Sequence, residues 1–178
     1  MIDITETLQL KPILKTDTKT LFTLMKEIYP LAYSHFWTDQ GDWYVNTQYC
    51  EKNILKELLE ENSEDYFILF NNDIIGNFRF IWDEKLTGLS KEKQLKLHRI
   101  YLHPKAQGNG IGKTLLAWLD AKATRKGYEI IWLDAMDAQL KAFQFYKKLG
   151  YNYYSHVFLP FRFLHLAVRK MSQIYKKL

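Results

Sequence analysis

The sequence predicts an α/β sandwich on a mixed, mostly antiparallel sheet, carried by one domain spanning residues 1–178. Three observations point there. Two apolar alternating runs, Tyr66–Phe70 and Ile74–Trp82, are joined by only Asn71-Asn72-Asp73, which reads as a β-hairpin. A helix–strand–helix run then occupies the region from Ile111 to Gly150. No parallel βαβ unit opens the chain, so a doubly wound sheet is not expected.

Leu8 to Leu14 reads as the opening strand. From Asp17 to Tyr29, Leu21, Leu24, Met25 and Ile28 recur at helical spacing behind a cap at Thr16 or Asp17. Pro30 is expected to close that helix. After the aromatic stretch "PLAYSHFWTDQGDWYV", a helix is expected from about Gln48 to Glu61, carrying Ile54, Leu55, Leu58 and Leu59. The hairpin follows, then a polar loop from Leu86 to Glu92 and a strand from Lys96 to Leu102. The next helix runs to about Lys126, with Leu115, Leu116, Leu119 and Ala123 on its buried side, and Gly127 stops it. The continuous apolar run Ile130–Leu133 suits a central strand. Asp137 is a candidate cap for a last helix ending at Gly150, and two further strands are expected within Tyr151–Val168, broken around Pro160.

Composition narrows the function. The single cysteine, Cys50, forbids an intrachain disulfide and a cysteine-rich metal site. The five histidines lack ligand spacing, so no metal is expected. No apolar run reaches the roughly 18 residues of a membrane span, and Asp3 and Glu6 interrupt any signal-like start. The expectation is a cytoplasmic protein without a membrane partner. The net charge of +5 is spread along helical faces, with one dense basic cluster at Arg169, Lys170, Lys176 and Lys177. It suits an anionic ligand and a solvated surface, and no nucleic-acid partner is expected.

The stretch Gln107 to Thr114, "QGNGIGKT", carries the strongest chemical signal. A Walker A loop would need glycine at position 107, where Gln stands, so the loop is one residue too short. The dinucleotide fingerprint would need glycine at Lys113. The pattern [RQ]-x-x-G-x-[GA] fits every fixed position of Gln107-Gly108-Asn109-Gly110-Ile111-Gly112. Its glycines let the backbone approach a bulky anion, and the first-turn amides of the following helix point at it. Each such charge-assisted bond contributes about 1.5–3 kcal/mol. Lys113 adds a screened charge; taken alone, the hexapeptide could also be a turn that merely starts a helix.

In "LHRIYLHPKAQGNGIGKTLLAWLDAKA" and "IIWLDAMDAQLKAFQFYKKLGY" the chain resembles the GCN5-related N-acetyltransferase (GNAT) superfamily, over roughly half its length, from near Tyr66 to about Tyr151. The resemblance is strongest to its bacterial spermine/spermidine acetyltransferase branch. It implies a three-layer sandwich with a splayed sheet and acetyl-CoA as cofactor. The loop from Gln107 to Thr114, Ile111 included, would then hold the cofactor's pyrophosphate. Backbone groups of Ile100, Tyr101 and Leu102 would meet the acetyl and pantetheine portions. Simple alternation sets His98, Ile100 and Leu102 on one face, and Leu97, Arg99 and Tyr101 on the other.

The resemblance also implies roles. Tyr146 matches the tyrosine that protonates the departing thiolate; otherwise it is a core tyrosine of the last helix. His98 stands where the family commonly has a carboxylate that accepts the amine proton. An ammonium of pKa near ~10.4 must lose that proton before attack. His98 as a packed structural residue, with Glu27, Asp134 or water as base, is the alternative. Gln139, Ala142 and Tyr146 share one helical face, and Gln139 replaces the family's pantetheine-binding Asn.

The acceptor would be a small primary amine. Tyr33, Phe36, Trp37, Trp43 and Tyr44 combine aromatic faces with the carboxylates of Asp39 and Asp42, a chemistry suited to an organic cation such as a polyamine. The same stretch could instead pack on the sheet or form a homodimer contact. A peptide N-terminus or lysine as acceptor, and a non-catalytic CoA-binding module, are the competing functions.

Overall fold

A computed structural model describes residues 1–91 and 93–178. The first half forms strands β1 (Ile2–Asp3) and β2 (Leu8–Pro12), then helices α1 (Thr18–Tyr33), α2 (Asp42–Gln48) and α3 (Glu51–Glu57). Strands β3 (Ser63–Phe70), β4 (Asp73–Trp82) and β5 (Gln94–Leu102) follow, then helix α4 (Ile111–Arg125). The chain continues with β6 (Ile130–Met136), α5 (Leu140–Lys148), β7 (Asn152–Phe158) and β8 (Lys170–Lys177). All strands join one sheet in the order β1-β2-β3-β4-β5-β6-β8-β7. Every neighbouring pair is antiparallel except β5–β6. The crossover through α4 is what permits that one parallel pair.

The predicted hairpin is β3–β4. Its turn residues Asn71 and Asn72 have φ of 51° and 69°, a left-handed pair that matches strand twist and that asparagine tolerates. The apolar side chains then sort to the two faces of the sheet. Phe78, Phe80, Leu95 and Leu97 pack with Leu115 and Leu119 of α4, and Phe145 and Tyr146 of α5 lie against this core. On the other face Met25, Ile28 and Tyr29 of α1 pack with Val45 of α2, Ile54 of α3 and Phe67 of β3. The sheet is thus covered by α1–α3 on one face and α4–α5 on the other.

Tertiary packing moves several predicted boundaries. Helix α1 continues one turn past Pro30. Proline forfeits only its own N–H there, and Tyr33 stacks on Tyr29 at 4.9 Å to hold the added turn. The helix expected over 48–61 is the shorter α3, and a separate α2 precedes it; Tyr49, fully buried under the Arg99 guanidinium at 4.8 Å, and the extended Cys50 part the two. Asp137 does not cap α5: it accepts from Ser172 Oγ and pairs with Lys170 on β8. The last strand lies beyond Val168, which leaves residues 159–169 as a loop. That loop is pinned to the segment after α1, where Thr38 N–H donates to Phe163 O and His165 N–H to Phe36 O. The polar loop expected over Leu86–Glu92 is described as far as Lys91; Glu92 lies outside the described residues.

Candidate active site

The site begins where the sheet divides. Strands β5 and β6 pair only from Gln94–Ile130 to Leu97–Leu133. Beyond that point His98–Leu102 and Asp134–Met136 diverge without pairing to each other, opening a wedge that leaves backbone groups of β5 free on that edge. A β-bulge falls at the opening: Phe80 pairs with Leu97 and Arg79 with Arg99, so His98 is the extra residue. The bulge corrects simple alternation. Leu97 lies on the α4 face with Ile100 and Leu102, whereas Tyr101 joins the α1–α3 face.

The Gln107–Thr114 loop is exposed over residues 107–110 and enters α4 at Gly110, whose φ of 72° is left-handed. A side chain there would be strained by the backbone rather than by its neighbours, since a Cβ would meet open space. The first bond of the helix runs from Thr114 N–H to Gly110 O, at 3.0 Å. The amides of Ile111, Gly112 and Lys113 therefore project from the helix end without an intrahelical acceptor, as an anion site needs. Asn109 and Thr114 support the turn, donating to Ala106 O and Gly110 O respectively. Gly112 has a different reason from the one its motif implies: a Cβ would come 3.3 Å from Phe145 Cζ, so the glycine seats α4 on α5.

The wedge opens into a cavity of about 260 Å³. Ile100 and Tyr101 of β5 line one end, with Asp134 of β6 and Gln139, Ala142 and Tyr146 at α5. Burial pushes the Tyr146 phenol well above its usual pKa, aided by nearby Tyr33, so it remains a proton donor. The Gln139 amide is partly committed, since Nε2 donates to Ala32 O on α1 at 2.7 Å.

At the other end the cavity is walled by Tyr29, Tyr33, Trp37, Tyr44 and Phe161, with Gln48 beside them. Of the acceptor residues expected from the sequence, Tyr33, Trp37 and Tyr44 lie here and the rest do not. Phe36 is buried in the core below. Trp43 packs outward on Phe161 and Phe163. Asp39 caps α2, accepting from the amides of Gly41 and Trp43. Asp42 is exposed beside Lys26 at 3.6 Å. Tyr29 and Phe161 were not among the expected residues. Tyr29 stood only as the last residue of the first expected helix, and only the fold brings Phe161 across to Trp37.

The ionisable groups at the junction are constrained. His98 lines the cavity, but burial, reinforced by Arg99, Arg79 and Lys96, lowers its pKa to about 2. Its Nδ1 is buried without a hydrogen-bond partner among the described residues. A ring so hard to protonate is a weak proton acceptor, which opposes the role expected from its position. Arg99 is engaged by Glu57 through two bonds of 2.7 Å. Asp134 pairs with Lys96 at 3.0 Å. Glu27, another base considered from the sequence, bonds His103 at 3.1 Å and does not line the cavity.

A splayed parallel pair and a buried phenol on one cavity, with an anion-ready helix end at the start of α4, define the class: a fold that holds an acyl carrier against an acceptor pocket. Residues 22–151 match the Acetyltransferase (GNAT) family. The chain belongs to that family, whose members are acetyl-CoA-dependent N-acetyltransferases. An uncharacterised N-acetyltransferase from the pepI 3′ region of Lactobacillus delbrueckii subsp. lactis is 26% identical over 104 residues. That alignment covers 58% of this chain and 60% of the relative's length. Among solved structures, the PaiA N-acetyltransferase of Thermoplasma acidophilum, in complex with coenzyme A, superposes with a TM-score of 0.74 at 18% identity. The superposition covers 97% of this chain and 99% of that one. The Vibrio cholerae spermidine N-acetyltransferase, in complex with CoA and spermine, gives 0.67 at 16% identity, covering 97% and 96%. At these identities the likeness is one of fold. No helix among the described residues is long and apolar enough to cross a membrane.

Proposed function

We propose that this protein is a cytoplasmic acetyl-CoA-dependent N-acetyltransferase that moves an acetyl group directly to a primary amine of a small molecule, with residues 1–178 working as one domain. The observation that carries the reading is the single cavity running from the β5–β6 wedge and Tyr146 to the aromatic wall. Acetyl-CoA supplies the activated acetyl thioester. The free amides of residues 111–113, with Lys113 beside them, hold its pyrophosphate, and the unpaired edge of Ile100–Leu102 receives the pantetheine arm and acetyl group. The Gln139 Oε1 and the small Ala142 leave room along that arm.

Burial keeps the Tyr146 phenol protonated, so it donates a hydrogen bond to the leaving sulfur and passes its proton as the carbon–sulfur bond breaks. The same burial makes it a weaker acid than a free phenol. The incoming ammonium releases its proton to water or to Asp134, because a neutral, hard-to-protonate His98 holds none. A polyamine acceptor is the finer reading, supported by resemblance to the spermine/spermidine branch. The outward positions of Asp39 and Asp42 weigh against it. The test is thiol release from acetyl-CoA with simple amines, polyamines and a lysine peptide tried separately. Amine-dependent release is expected. Acetyl-CoA binding with no release for any acceptor would instead indicate a CoA-binding module.

A further inference from the structure

The acceptor end of the cavity owes one wall to a loop rather than to a helix or strand. Leu159 and Phe161, both from residues 159–169, line it. The Phe161 ring joins the wall together, with centroids 5.9 Å from Trp37, 5.4 Å from Trp43 and 6.1 Å from Tyr44. A loop has no strand ladder to fix such a ring, so its own bonds must do so.

Those bonds converge on Arg169. The loop closes on itself where Leu159 N–H donates to Arg169 O at 2.9 Å. Within it, Leu164 N–H donates to Phe161 O at 3.3 Å and closes a turn over residues 161–164. The Arg169 guanidinium takes both ends of that turn. Its Nη2 donates to Phe161 O at 2.9 Å and its Nε to Leu164 O at 3.2 Å. Nε and Nη2 form one edge of a planar fork, so a single side chain fixes two carbonyls at once. Beyond the loop, buried Leu164 bridges to Trp37, and Thr38 N–H donates to Phe163 O at 2.8 Å. The wall is thus tied on one side to the segment after α1 and on the other to Arg169. Compact loops with closed ends, packed by their own side chains, are frequently functional.

The sequence groups Arg169 with Lys170, Lys176 and Lys177 as a basic cluster, but the structure separates them. Lys170 pairs with Asp137 at 2.9 Å and Lys176 with Asp120. Arg169 is half-buried and turned into the loop.

We infer that Arg169 is a positioning residue for acceptor binding, which grips the Phe161–Leu164 turn and so holds the Phe161 ring against Trp37. This rests on the acetyltransferase reading of the same site. Arg169 does not itself line the cavity, so it acts through Phe161.

The experiment compares the full-length protein with Arg169→Met and with Arg169→Lys, which keeps the charge but not the fork. In Arg169→Met, amide hydrogen exchange over residues 159–168 should quicken about fivefold or more, with α4 and β6 unchanged. Thiol release from acetyl-CoA is then measured with hexylamine, spermidine and a lysine peptide as separate acceptors. For any amine used, Arg169→Met should raise the amine KM about five- to tenfold and leave the KM for acetyl-CoA within about twofold. Arg169→Lys should show the same split at smaller amplitude, and it carries the test where Arg169→Met does not fold. Adding Arg169→Met to Phe161→Ala should raise the amine KM no further, as expected of two residues acting as one unit. Unchanged loop exchange, an unchanged amine KM, wild-type behaviour in Arg169→Lys, or additive effects in the double variant overturns the inference and leaves the acetyltransferase reading standing. Absence of release with every amine, despite calorimetric binding of acetyl-CoA, overturns both.

Discussion

The two ends of the cavity are built by opposite strategies. The wedge end draws on neighbouring parts of β5, β6 and α5, from Leu97 to Tyr146, and it relies largely on backbone: a bulge and an unpaired strand edge, with the free amides of the α4 start following β5 in the chain. The aromatic end draws on residues far apart in the chain, 29–48 and 159–171, and it relies on side chains. Backbone recognition needs glycine at fixed positions and so leaves a spacing in the sequence. Side-chain recognition needs only that rings converge, which many sequences could achieve.

That contrast can be broken at several points. The largest effect is expected for Tyr146→Phe, which removes the proton donor but keeps the ring: kcat should fall about 100-fold with both KM values nearly constant, measured by steady-state thiol release. A fall of less than threefold would reduce Tyr146 to a packing residue. Gly110→Val acts on the backbone strategy itself, since a β-branched residue is strained at φ 72°. Acetyl-CoA binding by calorimetry should weaken about tenfold or more, the equivalent of one lost charge-assisted hydrogen bond. Unchanged affinity would mean that this helix end does not bind the anion.

His98 sits at the junction and tests whether it is dry. Its folded pKa is lowered to about 2, against ~6.5 for an unfolded histidine. Between those values the unfolded chain binds one more proton than the folded protein at this position, so stability rises with pH and is lost as pH falls below ~6.5. His98→Gln should therefore flatten the acid limb of the unfolding free energy between pH 6 and 4 by about 1.4 kcal/mol per pH unit. An identical slope in both proteins would show that His98 protonates freely. The smallest effect is expected for Asp42→Asn. Its carboxylate is exposed and its pairing with Lys26, at 3.6 Å, is of a kind worth ~0–1 kcal/mol. Amine KM values should stay within about twofold, and a larger rise for polyamines alone would bring back an acidic acceptor site.

The sequence by itself determined the α/β class, the β3–β4 hairpin, the α4–β6–α5 order and the glycine-rich entry to α4. Each rests on contacts between residues close in the chain: periodic apolar side chains, a two-residue turn, glycines at fixed spacing. It also placed Tyr146, Ala142 and Gln139 together, since one helix and its cap suffice for that. Only the tertiary structure decided the rest. The bulge that reverses the facing of Leu97 depends on β4 as partner, and the break at Tyr49 depends on Arg99 across the sheet. The pairing of Phe161 with Trp37 depends on a loop pinned by backbone bonds more than a hundred residues away in sequence. The outward turn of Asp39 and Asp42 follows from the same physics: a carboxylate that can cap a helix or stay in water does so, rather than enter an apolar slot with no cation to meet it.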